Sequence, residues 1–496
     1  MKAGERISNN MKRYLSLPVQ VKASLWYLIC SFLQRGISVI TTPVFTRIMS
    51  ASEYGRYVVF NSWYDILFII VTLSLTGGVH TQGLIKFDNE RKVYTSTLQG
   101  LTATLVFAWF ALYIVLHSFW NKLTSFNTLQ MTVMFGIIWM TAVFGFWANV
   151  QRVEYKFRDL AAVTLISAIF RPILEIVLVL RTEDKATARI IGWAVVDFVV
   201  FGWMFFYQLR QGKVFFSEHY WSYAVHFNLP LVPHYLSQTV LNSADRIMIE
   251  SMVGEDKAGV YGLAYSLAMV MTLFSSAISQ TIDPWLYQKI KDRKERQIAS
   301  TAYMSLIIIG SVNLVLILFA PEAVAIFAPE PYHEAIWIVP PVAMSVFFMY
   351  SYDLFAKFAF YYERTKAIML ASITGALLNV LLNYLCIRRF GYIAAGYTTL
   401  FCYIVYAVMH YILMRKVCKE QCDGVYPYET RAILSISFVF LVLGFALLSA
   451  YRLPAVRYGI AGIGLIVCIC MRKRIASVIQ RLIAVKTGEK PSKDGQ

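Results

Sequence analysis

The chain has 496 residues, 58% of them hydrophobic, with a mean hydropathy of +0.56 and only 15% charged side chains. Soluble domains average about 25% charged and roughly 45–50% apolar residues, so this composition excludes an ordinary soluble fold. The net charge of +17 raises nucleic acid as a partner, but the distribution of that charge along the chain argues against it.

Apolar runs of about 20 residues recur throughout, each long enough to span ~30 Å of hydrocarbon. They predict an all-α polytopic membrane protein with about fourteen transmembrane helices. Their expected limits are roughly 22–47, 57–81, 93–118, 127–149, 160–180, 188–209 and 222–250, then 258–287, 298–319, 335–356, 367–387, 393–414, 431–450 and 454–471. The polar, basic start MKAGERISNNMKRYLSLPVQVK precedes a run too long for a signal-peptide core, so the first span is expected to be retained.

With the N-terminus inside, the inside loops hold roughly 32 of the 46 Lys and Arg and the outside loops about 11. Inside loops include IKFDNERK, YKFRD, YQKIKDRKERQ, YYERTK and MRKVCKEQC, and the tail MRKRIASVIQRLIAVK is basic too. Outside loops such as FAPEPYHEA and ESMVGEDKAG are neutral or acidic. Both termini are therefore expected in the cytoplasm. The positive charge reads as a topology signal with attraction to anionic lipid headgroups, and no nucleic acid is expected.

The chain repeats itself at an offset of about 204–206 residues. Tyr54-Gly55-Arg56-Tyr57 lines up with Ala258-Gly259-Val260-Tyr261, KFDNERK with IKDRKER, EYKFRD with FYYERT, and Arg210 falls near Arg415. Two parallel six-helix lobes, 1–215 and 216–425, are expected, followed by two extra helices and a basic tail over 426–496. Parallel repeats of this kind are a transporter architecture, with the substrate path expected between the lobes.

Charges inside the spans are the candidate functional residues, because a charge at the bilayer centre costs at least about 2.5–3.5 kcal/mol. Arg35 lies deep in the first span, either paired with Asp65 or facing a cavity. Arg171 and Glu175 are one helical turn apart and are expected to pair at least partly. Asp197 is placed to serve either arginine. Asp245 and Arg246 are adjacent, point about 100° apart and each need a partner of their own. They read as an outer gate lock or as ligand contacts. Asp353 and Lys357 read as an interfacial pair, and Asp283 as structural or gating. Pro43, Pro172, Pro230, Pro233, Pro284, Pro340 and Pro341 interrupt spans and are expected to kink them.

No nucleophile, phosphate-loop or metal-binding motif appears in the sequence, the seven cysteines form no disulfide framework, and no cofactor or metal is expected. A large catalytic outside loop, as a membrane glycosyltransferase or polymerase would carry, is not found.

The stretch SADRIMIESMVGEDKAGVYGLAYSLAMVM and the first-span end FTRIMSASEYGRYVVF resemble the Wzx-type polysaccharide flippases. These belong to the multidrug/oligosaccharidyl-lipid/polysaccharide exporter superfamily, and the likeness runs from about residue 20 to 470. The resemblance implies transfer of an undecaprenyl-diphosphate-linked oligosaccharide to the outer leaflet of a bacterial inner membrane. That step serves O-antigen, capsule or exopolysaccharide synthesis, alongside a polymerase and chain-length machinery. It implies that cavity arginines hold the diphosphate; Arg35 comes first, then Arg47, Arg246 and Arg171. Coupling to protons or sodium would need a carboxylate, for which Asp65, Asp197, Glu175 and Asp245 are the candidates. The alternative within the same superfamily is a cation-coupled multidrug antiporter, which the two extra spans and the buried arginines disfavour.

Overall fold

The computed structural model describes residues 18–472; most of the polar N-terminal segment and most of the basic tail lie outside the described residues. The described chain is helical. It divides into two compact units, Met1–Thr239 and Val240–Gln496, against an expected lobe boundary at 215/216.

The first unit contains α1 (Val19–Ile48), α2 (Ala51–Thr72), α3 (Gly78–Lys86), α4 (Arg91–Val115), α5 (His117–Thr124), α6 (Thr128–Val153), α7 (Phe157–Arg181), α8 (Lys185–Gly212) and α9 (Glu218–Asn228). A 3-10 turn at Leu229–Leu231, carrying Pro230, leads into α10 (Val232–Met252), which crosses the unit boundary. The second unit continues with α11 (Glu255–Met269), α12 (Met271–Lys291), α13 (Ile298–Leu318), α14 (Ala320–Phe327), α15 (Val339–Tyr361), α16 (Thr365–Phe390), α17 (Ala394–Gln421), α18 (Thr430–Ser449) and α19 (Pro454–Cys470).

Local sequence sets the helix starts. Ser50 and Glu53 form a capping box at α2, and Asn127 and Gln130 form another at α6. The Asp184 carboxylate takes the Thr187 amide at 3.0 Å to start α8. In the first unit α8 packs on α7, α6 and α4, and α1 packs on α7. In the second, α15 packs on α17 and α13, and α17 on α16. Large apolar side chains also cover the outside: Val199 and Phe206 on α8 are 73% and 71% exposed. Outward apolar faces with every helix satisfying its own backbone are what a bilayer requires.

Among the described residues, ten helices are long and apolar enough to cross a membrane, or eleven if Glu330–Trp337 and Val339–Tyr361, bent by 47°, form one span. Three of the fourteen expected spans fall short for separate reasons. The second is α2, which carries Glu53, Arg56 and Asp65. The seventh is broken at Pro230 into α9 and α10. The last, α19, has 17 residues. Pro43, Pro172 and Pro284 lie inside unbroken helices, whereas Pro340 and Pro341 sit in the first turn of α15, where a missing N–H is tolerated.

Two of the polar segments that line up in the sequence end their helices in the same way. α6 ends in a Schellman turn, with Lys156 N donating to the Gln151 carbonyl at 2.8 Å and Tyr155 at φ 55°. α15 ends in the same turn, with Arg364 N on the Ala359 carbonyl at 2.8 Å and Glu363 also at φ 55°. Each turn occupies the polar segment, EYKFRD or FYYERT, that lines up in the sequence.

α19 is tied to the rest of the second unit by Arg457. Its guanidinium chelates Glu322 of α14, reaching Oε1 at 2.5 Å, and Nη1 donates to the Leu318 carbonyl at 3.0 Å. Tyr458 adds a hydroxyl bond to Glu322 at 2.6 Å. The Arg457 bonds hold the Glu322 carboxyl down to about 2.

Candidate functional site

Four charges of the first unit meet between α7 and α8. On α7, Ser167, Arg171 and Glu175 follow at steps of four, and on α8 so do Arg189, Trp193 and Asp197. Steps of four put each set on one helix face. α7 and α8 run antiparallel after a short turn, so the two faces meet in opposite order. Arg171 Nη2 reaches Asp197 Oδ1 at 2.6 Å, and Arg189 Nε reaches Glu175 Oε2 at 3.1 Å. Gly192 permits this closeness: a Cβ there would stand 3.0 Å from the Glu175 Cα.

Aromatic rings hold both guanidinium groups. Arg189 lies between Phe45 of α1 and Tyr57 of α2, 3.5 and 3.6 Å from the ring centres. Arg171 stands 4.8 Å from the Trp193 ring, while Trp193 Nε1 donates to Asp197 Oδ2 at 3.0 Å. Both Asp197 oxygens are thus bonded. Asp197 and Glu175 are buried, Arg189 nearly so, and the Arg171 side chain keeps a third of its surface. The expected Arg171–Glu175 pair does not form; α8 supplies a partner to each. Periodicity correctly gave the shared face, but the register of α7 on α8 decides the bonds.

Arg171, Glu175 and Arg189 line a cavity of about 330 Å³. Its polar wall includes Gln34, Ser38, Thr41, Thr141 and Ser167, and its aromatic wall Phe45, Tyr57, Phe144 and Phe201. Arg189 escaped the sequence reading because it stands in the first turn of its span, where an arginine reads as an interfacial anchor. The usable signal was its step-of-four spacing to Trp193 and Asp197.

In the second unit Asp245 is fully buried. Its Oδ2 accepts the Tyr261 hydroxyl at 2.5 Å and the Thr399 hydroxyl at 3.0 Å. One turn earlier, Asn242 Oδ1 accepts Tyr403 at 2.6 Å and Tyr265 at 3.2 Å. Arg246 turns away, its guanidinium 4.3 Å from the Tyr265 ring centre and bonded to the Asn242 carbonyl. Each member of the adjacent pair thus has its own partners, all in the second unit. Lys357 bridges Asp283 at 2.7 Å and Asp353 at 3.0 Å, so the expected Asp353–Lys357 pair is part of a triad.

Arg35 is exposed on α1 and Asp65 on α2. Arg47, also exposed, donates to the Pro43 carbonyl at 2.8 Å. Among the described residues no group of three His, Cys, Asp or Glu could hold a metal ion.

Known proteins resemble this arrangement on two levels. The profile of the family described as polysaccharide biosynthesis protein matches residues 21–289, more than half of the chain. The chain belongs to that family. A second profile, MatE, matches residues 230–385. An Lsg locus protein of Haemophilus influenzae (strain ATCC 51907 / DSM 11121 / KW20 / Rd) is 23% identical over 387 residues, covering 72% of this chain and 89% of that protein. A membrane protein of the same strain is 20% identical over 379 residues, covering 72% and 88%. Among solved structures, an inward-facing multidrug resistance MATE family transporter of the MOP superfamily superposes with a TM-score of 0.62. It is 12% identical and is covered to 99%, over 80% of this chain. A Vibrio cholerae MATE transporter gives 0.55 at 11% identity, covering 81% of this chain and 97% of its own. This polysaccharide biosynthesis family member therefore has a MATE-like fold and is a multi-pass membrane protein.

Proposed function

We propose that the protein flips an undecaprenyl-diphosphate-linked oligosaccharide from the cytoplasmic to the outer leaflet of the bacterial inner membrane, by alternating access. The carrying observation is the family match: a polysaccharide biosynthesis chain built on a transporter fold. The polar and ionic groups lining the first unit's cavity support the reading, because a cargo with polar parts needs hydrogen-bonding groups to leave the headgroup region. Outward transfer of each negative charge is favoured by ~2.3 kcal/mol per 100 mV of inside-negative potential, so no ATP site is required. On this reading the chain has fourteen spans with both termini in the cytoplasm. Arg35, Arg47, Arg171 and Arg246 serve the substrate, and Asp65, Asp197, Glu175 and Asp245 serve gating or ion coupling. A polymerase and chain-length machinery act on the product.

The test is deletion of the gene, followed by measurement of the leaflet distribution of lipid-linked repeat units. Stranding on the cytoplasmic leaflet with loss of surface glycan is expected. Unchanged glycan with lowered drug tolerance would instead favour the multidrug antiporter, whose fold this chain shares.

A further inference from the structure

We infer that the cavity inside the first unit receives a neutral, hydroxyl-rich ring, the sugar portion of the cargo, and not its diphosphate. The inference rests on the proposed function and specifies which chemical part of the substrate this pocket takes.

The charge balance comes first. Three ionic groups line the cavity, Arg171, Arg189 and Glu175, and Asp197 stands behind them on Arg171, so the cluster comprises two cations and two anions bonded in pairs. Their net charge is zero, so the wall offers a diphosphate no net attraction. Glu175, 2% exposed, would oppose an approaching anion.

The unused hydrogen-bonding capacity comes second. Arg171 Nε, Arg189 Nη1 and Glu175 Oε1 are buried and carry no hydrogen bond among the described residues. Two are donors and one is an acceptor. A phosphate or carboxylate supplies acceptors alone and leaves Glu175 Oε1 unmet. An organic cation supplies donors at most and leaves both arginine N–H groups unmet. A hydroxyl donates and accepts, so neighbouring hydroxyls on one ring satisfy both kinds. These atoms lie behind the cavity wall, on the side chains that line it.

Shape comes third. A cavity of about 330 Å³ holds a monosaccharide ring with room for its neighbour. Gln34, Ser38 and Thr41 on α1 give it a polar edge. Phe144 and Phe201, stacked at 4.5 Å, give it a flat apolar side. Polar edges and flat C–H faces are how a pyranose presents itself.

The experiment uses the purified full-length chain in detergent and follows tryptophan fluorescence, to which Trp193 contributes from within the ion-pair cluster. Methyl glycosides of a neutral hexose, a 6-deoxyhexose and an N-acetylhexosamine are titrated, with inorganic pyrophosphate and tetraphenylphosphonium as competitors. At least one glycoside should give a saturable change that neither competitor displaces. Ser38→Trp, which fills the cavity, should weaken it by at least about tenfold. Displacement of the glycoside by pyrophosphate or tetraphenylphosphonium overturns the inference, and so does the absence of any saturable glycoside signal. If Ser38→Trp does not fold, competition in the unaltered protein still decides. A deletion strain that strands lipid-linked repeat units while glycosides fail to bind refutes this assignment alone. Unaltered leaflet distribution refutes the proposed function instead.

Discussion

The Arg189–Glu175 pair should respond asymmetrically to loss of its two members. Removing one partner of a buried ion pair typically costs about 3–5 kcal/mol, because the survivor remains buried and uncompensated. Glu175 is 2% exposed, and the remaining described polar contact of its Oε2 is Arg189. Arg189→Met should therefore incur the full penalty. Glu175→Gln leaves the guanidinium between Phe45 and Tyr57, at 3.5 and 3.6 Å. Cation–π contacts contribute about 0.5–2 kcal/mol each when desolvated, so the expected cost falls to about 1–3 kcal/mol. The central difference of about 2 kcal/mol, at about 2–4 °C per kcal/mol for a unit of 150–250 residues, should make Arg189→Met melt about 4–8 °C below Glu175→Gln. The double variant should lose less than the sum, by about 2 kcal/mol. Thermal unfolding of the detergent-purified variants, followed by tryptophan fluorescence, measures all three. Equal losses, or additive ones, would show that the aromatic pair does not hold the cation and that the two charges are not coupled.

Other consequences can be measured in the same way. Gly212→Ala should destabilise by about 1–3 kcal/mol, because its Cβ would collide with the Lys92 carbonyl and Ser96; Gly202→Ala on the same helix meets nothing within 4 Å and should be neutral or stabilising. Asp245→Asn should melt close to the parent, since an amide oxygen still accepts Tyr261 and Thr399, whereas Asp245→Leu strands both hydroxyls and should cost about 2–4 kcal/mol. If Asp245→Asn is stable but loses transport, the carboxylate charge serves function and not folding. Glu322 titrates at about 2 in the folded chain, below an unfolded value near ~4.3. Its contribution to anchoring α19 should therefore be present above about pH 4.3 and fade as pH falls toward 2, read as increasing protease access to α19; Glu322→Gln should abolish that pH dependence.

Fold class was legible because lipid imposes a coarse rule: apolar runs of a fixed length must be helices. Two polar landmarks of the expected repeat fall at chain reversals, where Tyr155 and Glu363 adopt the same left-handed turn. Less legible were the helices that break the rule. α2 and α10 carry three or more charges or histidines each, which hydropathy penalises although the segments remain helical. The site was half legible. Steps of four exposed the faces of α7 and α8, but pairing across helices depends on register, a property of two segments that periodicity in one cannot report. Arg189 is the instructive miss: its depth along the helix resembled an anchor, and only Phe45 and Tyr57 from other helices make it part of a buried wall.

The repeat also bears on how the two polar centres arose. At an offset of about 204 residues, Tyr57 corresponds to Tyr261, and Thr41 to Asp245. Thr41 and Tyr57 line the first unit's cavity, and Asp245 and Tyr261 bond each other in the second. The remaining partners come from α8 and α17, both of 28 residues: Arg189 near the start of one, and Thr399 near the start of the other. Two matched positions and a matched helix in each unit therefore carry the buried polar chemistry, but its content differs. The first unit balances two arginines against two carboxylates, while the second holds a carboxylate with hydroxyls. Duplication supplied the geometry, and substitution within it gave each unit a different kind of group to offer. On the proposed function, a cargo that joins a charged diphosphate to neutral sugars has use for two such different centres, which is why the ion pairs and Asp245 are best tested as separate devices.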